Sequence, residues 1–119
     1  MKLFLSLALL VIQLNVNGQE KNVIISKDRV EVIFNSKLDL DQVIKIKSDL
    51  SAKNIELKFL RLEFTEAGKL IGIKFTVDFK DGHKGGAANV KLNEDSRFGF
   101  YRDFVSLTDP FSAGNIEDE

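Results

Sequence analysis

The single histidine of the chain lies in a glycine-rich segment, Asp-Gly-His-Lys-Gly-Gly at positions 81–86. An imidazole can act as a general base in a Ser-His-Asp arrangement, and the chain contains serines and aspartates. A solvated turn, however, gives His83 little to hold its ring or to exclude water, and one histidine is too few for a histidine-rich zinc site. We therefore predict that His83 is an ordinary turn residue and that the protein is not an enzyme and has no cofactor.

The same turn is a candidate for binding an anion through Gly82, His83, Lys84 and Gly85. Glycines let successive backbone N–H groups converge on an anion, and Lys84 adds a positive charge. The segment lacks the phosphate-loop spacing and does not open a helix, so a flexible hairpin loop is the alternative interpretation.

Carboxylates occur where helix capping or solvation explains them. Asp39 and Asp41 stand two apart, as calcium ligands can, but no Asp-x-Asp-x-Asp-Gly loop follows, and a helix N-terminus accounts for both. The chain has no cysteine, which excludes thiol nucleophiles, thiolate metal sites and disulfides. The sequence thus predicts no catalytic and no metal-binding residue.

An aromatic segment near the C-terminus is the candidate partner surface, comprising Phe98, Phe100, Tyr101 and Phe104. Its spacing fits neither a helix nor a strand period, so it is either a short edge strand or an arm folded over a sheet. The rings either close the core or expose an apolar edge to a protein partner. The interface interpretation predicts that replacing Phe100 and Tyr101 by Ser leaves thermal unfolding nearly unchanged.

Charge and composition exclude several classes of protein. The net charge is −1, and basic residues alternate with acidic ones, so no stripe suitable for nucleic acid is present. The composition is not that of a collagen, a coiled coil, a wholly disordered chain or a multi-pass membrane protein.

The first eighteen residues are typical of an export signal. Lys2 supplies a positive charge, an apolar run extends from Leu3 to Leu14, and Val16-Asn17-Gly18 offers a cleavage site before Gln19. An uncleaved anchor is the alternative, although it needs about 20 apolar residues. An exported domain without disulfides suits a bacterial periplasm or exterior, so we predict one of these locations and no membrane span after the signal is removed.

The first half of the remaining chain predicts two strands, at 23–27 and 29–34, followed by a helix. Asp39 and Gln42 have the spacing of a capping box, and Asn54 suits the left-handed position that ends a helix. The predicted apolar face of this helix consists of Leu40, Val43, Ile44, Ile46 and Leu50.

The second half predicts a meander of strands. Leu60, Leu62 and Phe64 are expected to point inward, and Gly68 to form the following turn. Alternation then predicts a strand with its inward side chains at Ile71, Ile73, Phe75, Val77 and Phe79, and a shorter strand with Ala88, Val90 and Leu92 inward. We expect an α+β domain at 19–108, in which one helix packs on a three- to four-stranded antiparallel sheet in β-α-β-β-β order, and a flexible acidic tail at 109–119.

The residues from Val30 to Leu92 resemble small periplasmic modules of Gram-negative bacteria, both free-standing and appended to membrane metallopeptidases of the beta-lactam-sensor type. The resemblance rests on the helix after Asp39, the Leu60-Leu62-Phe64 strand and the Glu66-to-Ile71 turn leading into the next strand. A looser likeness is to PepSY-like exported domains, which also set a helix against a hairpin. No metallopeptidase motif is present, so neither resemblance implies an activity.

Together these observations predict an exported, non-enzymatic interaction domain of the cell envelope. Its partner is expected to be an envelope or secreted protein, and not a nucleic acid. The alternative is a small-ligand carrier that holds a hydrophobic or anionic molecule between helix and sheet.

Overall fold

The structure is a computed structural model that describes residues 22–117. Within that range seven strands accompany one helix. Their bounds are β1 (Val23–Ile25), β2 (Arg29–Phe34), α1 (Leu40–Ser51), β3 (Glu56–Phe64), β4 (Leu70–Asp78), β5 (Lys84–Asn89), β6 (Phe98–Asp103) and β7 (Phe111–Asn115). The predicted signal sequence, residues 1–18, lies outside the described residues.

The strands form two antiparallel sheets. Sheet A has the order β1-β2-β6-β7, and sheet B has the order β3-β4-β5. The predicted α+β class with antiparallel strands is confirmed. The predicted single sheet in β-α-β-β-β order is matched only in part, because β2 pairs with β6, far away in sequence, rather than with a strand of the meander.

The two sheets are joined by phenylalanine side chains on their inner faces. Phe75 of β4 lies with its ring centroid 5.5 Å from that of Phe34 on β2 and 5.5 Å from that of Phe100 on β6. Phe98 meets the same ring edge-on at 6.0 Å. Such tilted and edge-to-face pairs are the favoured aromatic arrangements, so this cluster forms the centre of the core.

Helix α1 begins and ends as the sequence predicts. The Gln42 backbone N–H donates to Asp39 Oδ1 at 2.9 Å, and the Asp39 N–H donates to Gln42 Oε1 at 2.9 Å, which completes the capping box. Asn54 follows the helix with φ 64°, and the N–H of Ile55 donates back to the carbonyl of Leu50 at 3.0 Å. Local chemistry therefore fixes both ends of the helix.

The buried face of α1 is narrower than predicted. Val43, Ile46 and Leu50 are buried in the core, whereas Leu40 and Ile44 are about half exposed. The predicted face is therefore wrong at those two positions. The helix packs along β3, at one side of the space between the sheets, and that contact covers only one narrow stripe.

The β3–β4 hairpin turns at Gly68, which has φ 87° as predicted, but β3 is shifted relative to the prediction. A break in register between Phe59 and Arg61 leaves Leu60 as an extra residue, and its side chain is 57% exposed. Leu57 is fully buried instead. The prediction that Leu60 points inward is wrong because a β-bulge interrupts the alternation before it reaches Leu62.

The later strands also differ from the prediction. In β5, Ala87 packs against the core, while Ala88 and Val90 face solvent, so the predicted inward face is wrong by one residue there. Leu92 is buried as expected. Strand β6 is neither an edge strand nor an arm, because it lies between β2 and β7.

The predicted tail at 109–119 contains a strand. Residues 111–115 form β7, which pairs with β6, and Ile116 is buried. The predicted domain boundary at 108 therefore cuts through sheet A. The side chains of Phe111 and Ala113 pack against the core, which explains why this segment is ordered despite its small, polar composition.

We predict that Phe100→Ala destabilises the fold by about 3–5 kcal/mol, because the ring is fully buried among other phenylalanines. Phe104→Ala is the matched control, since this ring is 45% exposed, and it should cost much less. Chemical denaturation of both variants measures the difference. Equal losses of unfolding free energy would contradict the assignment of Phe100 to the core.

Candidate binding surface at the loop between β6 and β7

The loop between β6 and β7, residues 104–110, exposes three large apolar side chains. Phe104 is 45% exposed, Val105 is 66% exposed and Leu107 is 96% exposed. Single exposed apolar residues are ordinary, but three within four positions form a contiguous apolar tip. We call residues 104–110 the apolar loop.

Side chains within the apolar loop hold its backbone. Asp103 Oδ1 accepts hydrogen bonds from the N–H groups of Val105 and Ser106, each at 2.9 Å. Ser106 Oγ then accepts from the Asp109 N–H at 3.0 Å. These are local turn motifs in which aspartate and serine replace backbone acceptors, so the loop has a defined conformation.

Arg102 ties the apolar loop to the turn between β4 and β5. Its Nη1 donates to the carbonyls of Asp103 at 2.8 Å and Pro110 at 3.3 Å, at the two ends of the loop. Its Nε donates to Asp81 Oδ2 at 2.8 Å, and the guanidinium carbon lies 4.7 Å from the centre of the Phe104 ring. One arginine therefore fixes two neighbouring turns and one aromatic ring.

A third turn supports the same loop from the other side. The N–H of Phe104 donates to the carbonyl of Asp28, in the turn between β1 and β2, at 2.9 Å. The N–H of Asp103 donates to the carbonyl of Pro110 at 2.8 Å, which closes the base of the loop. The apolar tip is thus presented by three turns bonded to one another.

Both aspartates of this network have lowered pKa values. The N–H groups of Val105 and Ser106, and then the Arg29 guanidinium, hold the pKa of Asp103 below its usual range. For Asp81, partial burial would raise the pKa, but the hydrogen bond and charge of Arg102 and the His83 N–H together lower it. Each carboxylate is therefore stabilised in its charged form by the contacts that order the turns.

The structure separates the four residues of the predicted partner surface. Phe98 and Phe100 are buried in the core, so their prediction as surface residues is wrong. Tyr101 lies on the outer face of sheet A, where the Arg29 guanidinium carbon is 4.3 Å from its ring centre. Phe104 is exposed and belongs to the apolar loop.

Sequence reasoning missed Val105 and Leu107, the two most exposed members of the loop. The available signal was a Phe-Val-x-Leu run bounded by Asp103 and Pro110, two residues that favour turns. Apolar residues within a turn have no core to face, and that combination indicates a surface function.

Local hydrogen bonds shape the glycine turn, which is the second predicted site. The Lys80 N–H donates to Asp78 Oδ1 at 2.8 Å, and the His83 N–H donates to Asp81 Oδ1 at 3.1 Å. The His83 ring lies beside the same carboxylate, with Nδ1 3.3 Å from Asp81 Oδ1. Gly82 has φ 97° and serves the turn, while Lys84 and Gly85 belong to β5. Of the four residues predicted to bind an anion, His83 thus already donates its N–H to a carboxylate.

A groove between β1 and α1 has a partly apolar lining. Its volume is about 260 Å³, and Val23, Ile25, Leu38 and Ile46 line it. The space between α1 and β3 is filled by core side chains, so the groove lies at the border of α1 and not beneath it.

Across residues 22–117, no cluster of three or more potential metal-ligating histidine, aspartate or glutamate side chains is present. Helix α1 is too short and too polar to cross a membrane, and the described part of the chain holds no other helix that could.

Comparison with known proteins gives no relative. No protein-family model, no curated protein and no solved structure matches the chain. Nothing in these comparisons connects it to the beta-lactam-sensor-associated modules or to PepSY-like domains.

We predict that acid loosens the apolar loop through Asp103. Because the folded-state pKa of Asp103 is lowered, its stabilising contribution is complete above the ordinary aspartate pKa of about 3.9 and is lost as pH falls through the lower folded value. An NMR titration should show the amide shifts of Val105 and Ser106 following the Asp103 carboxyl. Asp103→Asn should remove this dependence while keeping an oxygen acceptor.

Asp109→Asn is the control for this titration. The Asp109 N–H donates to Ser106 Oγ, but the Asp109 carboxylate has no hydrogen bond or ion pair among the described residues, so the pH dependence of the Val105 and Ser106 shifts should persist. If Asp103 titrated at the ordinary value, its assigned role in ordering the loop would be wrong.

Proposed function

We propose that the chain is an exported, non-enzymatic binding domain of the cell envelope that docks onto a protein through the apolar loop. The observation that carries the proposal is an exposed Val105-x-Leu107 tip whose backbone is held by Asp103 and Arg102. A surface held in one conformation loses little entropy on binding, so its apolar area contributes more directly to affinity. Leu107, which is almost fully exposed, is the expected anchor for a pocket on the partner.

The charges around the apolar loop favour a protein over an anionic membrane surface. Asp28 and Asp109 are exposed and form no ion pair with any residue from 22 to 117, and the same is true of Lys27 on the adjoining turn. A membrane-binding tip usually carries a surplus of basic residues near its apolar residues. We therefore expect the partner protein to bind the apolar loop in an apolar pocket that has basic residues near its rim.

Export remains the expectation set by the first eighteen residues, and the envelope location depends on it. Sequencing the N-terminus of protein recovered from periplasm or medium tests cleavage after Gly18. The resemblance to periplasmic modules and, more loosely, to PepSY-like domains is consistent with this location.

The second candidate function is that of a small-ligand carrier, supported by the apolar groove between β1 and α1. A volume of about 260 Å³ lies just below the usual range of ligand pockets. Native mass spectrometry of protein purified from its own host separates the two functions, because a carrier should retain a bound molecule of constant extra mass. Loss of that mass on Ile46→Lys, but not on Leu107→Ser, would favour the carrier.

We predict that Val105→Ser with Leu107→Ser weakens partner binding by at least about tenfold and leaves unfolding nearly unchanged. A photo-crosslinking residue at position 107 identifies the partner in the native host, and calorimetry with the purified partner measures the affinity. The expected loss follows from removing two apolar side chains that lie outside the core.

The matched control is Leu60→Ser with Val90→Ser, because these side chains are 57% and 59% exposed and lie in β3 and directly after β5, outside the apolar loop. This control should bind the partner normally. Equal weakening by both double variants would show that general surface hydrophobicity, and not the apolar loop, drives binding. An unchanged affinity in the loop variant would overturn the proposal.

A further inference from the structure

Strand β1 has no neighbour on its outer edge within the part of the chain that the structure describes. Two hydrogen bonds lie just beyond the two ends of β1. The Ile33 N–H donates to the Asn22 carbonyl at 2.7 Å, and the Ser26 N–H donates to the Arg29 carbonyl at 2.9 Å. In an antiparallel ladder, residues that bond to the neighbour alternate with residues whose backbone groups point away. The backbone groups of Ile24 therefore point toward β2, as do those of Asn22 and Ser26.

Val23 and Ile25 consequently direct their N–H and C=O groups away from β2. Among the described residues, no hydrogen bond reaches these four backbone groups. The side chains of Val23 and Ile25 also line the groove beside α1 and pack against the core. These backbone groups and the apolar groove thus lie next to each other at the outer edge of β1.

The other sheet edges are closed by features of the fold. On β3, the Lys47 ammonium donates to the Leu57 carbonyl at 2.7 Å, and two register breaks disturb the strand. Strands β5 and β7 lie against each other, with Gly85 beside the Phe111 ring. Natural sheets protect their edges in such ways, whereas among residues 22–117 no such feature covers the outer edge of β1, which is a short strand.

We propose that β1 accepts an extended peptide segment of a partner protein as an added strand, whose alternate apolar side chains enter the groove beside α1. Backbone pairing supplies the hydrogen bonds that Val23 and Ile25 lack, and side chains spaced two apart follow the same period as these residues. The site is separate from the apolar loop and does not depend on the function proposed for it.

The unpaired backbone groups and the groove charges decide between occupants. A hydrocarbon chain would cover the four polar groups of Val23 and Ile25 without bonding them, which is costly. Lys45 and Asp49, paired at 2.8 Å on the groove rim, present one charge of each sign, which suits a segment of low net charge with polar residues between its apolar ones.

The test is selection of a phage-displayed random heptapeptide library on the purified full chain. We expect enriched peptides to carry apolar residues at alternate positions. Their binding, measured by calorimetry as synthetic peptides, should be lost in Ile25→Pro, which removes an outward N–H and fills the edge with a ring. Proline is tolerated at edge positions of this kind, so the fold should persist.

Two controls make the result specific. Ile24→Ser changes a side chain on the opposite face of β1 and should leave peptide binding within about twofold. Leu107→Ser alters the apolar loop and should also leave it unchanged, so failure at β1 and failure at the loop are distinguishable. Enriched peptides without alternation, or peptides that still bind Ile25→Pro, would overturn the proposal.

Amide hydrogen exchange of the unmodified protein provides a readout that does not depend on a variant's folding. The N–H groups of Val23 and Ile25 should exchange rapidly alone and slow at least about tenfold when a selected peptide is added. Protection before any peptide is added would assign the edge to residues 1–21 or to a second copy, and the measured mass in solution would separate these two cases. Either outcome contradicts a partner peptide.

Discussion

The packing of Phe75 against Phe34 and Phe100 is the contact on which the two-sheet arrangement depends. The chain has no cysteine, so no covalent bond joins the sheets, and side-chain packing must supply the cohesion. Aromatic pairs of this geometry contribute about 0.5–1.5 kcal/mol beyond their buried area. Three strands from distant parts of the chain meet at this one cluster, which makes it the point where sheet A is aligned on sheet B.

The same contact sets the geometry of the apolar loop. Because Phe98 and Phe100 face inward, strand alternation directs Arg102 toward sheet B, where it reaches Asp81, and directs Asp103 toward the outer face, where it meets Arg29. A shift of β6 by one residue would exchange these partners and bury charge. The exposed tip is thus positioned by rings that lie in the core.

Local sequence signals predicted much of the fold correctly. The capping pair Asp39 and Gln42, the left-handed Asn54 and the turn at Gly68 each depend on residues within a few positions. The apolar alternation of β4 also placed Ile73, Phe75 and Val77 correctly on the inward face, because the strand is regular there. At the start of the strand the predicted Ile71 is only partly buried, and the neighbouring Leu70 is fully buried instead.

Structural features that depend on residues far away in sequence could not be predicted in the same way. The bulge at Leu60 depends on the register of β3 with β4, and the position of β6 depends on its pairing with β2. Gly99 shows the difficulty, because its sequence neighbours give no reason for a glycine. Its hydrogen stands directly against the Val32 carbonyl of the adjacent strand, where a Cβ could not fit. For the candidate site, the aromatic segment was recognised, but its inward and outward residues could be separated only after this pairing was known.

The pairing of β2 with β6 also fixes the order in which the parts can form. The hairpins of sheet B join neighbouring segments, whereas sheet A unites strands from both ends of the described chain, so loop closure delays sheet A. During synthesis β2 emerges long before β6, and until then its apolar face has no partner strand. Until β6 is available, sheet A and the apolar loop that follows β6 cannot form.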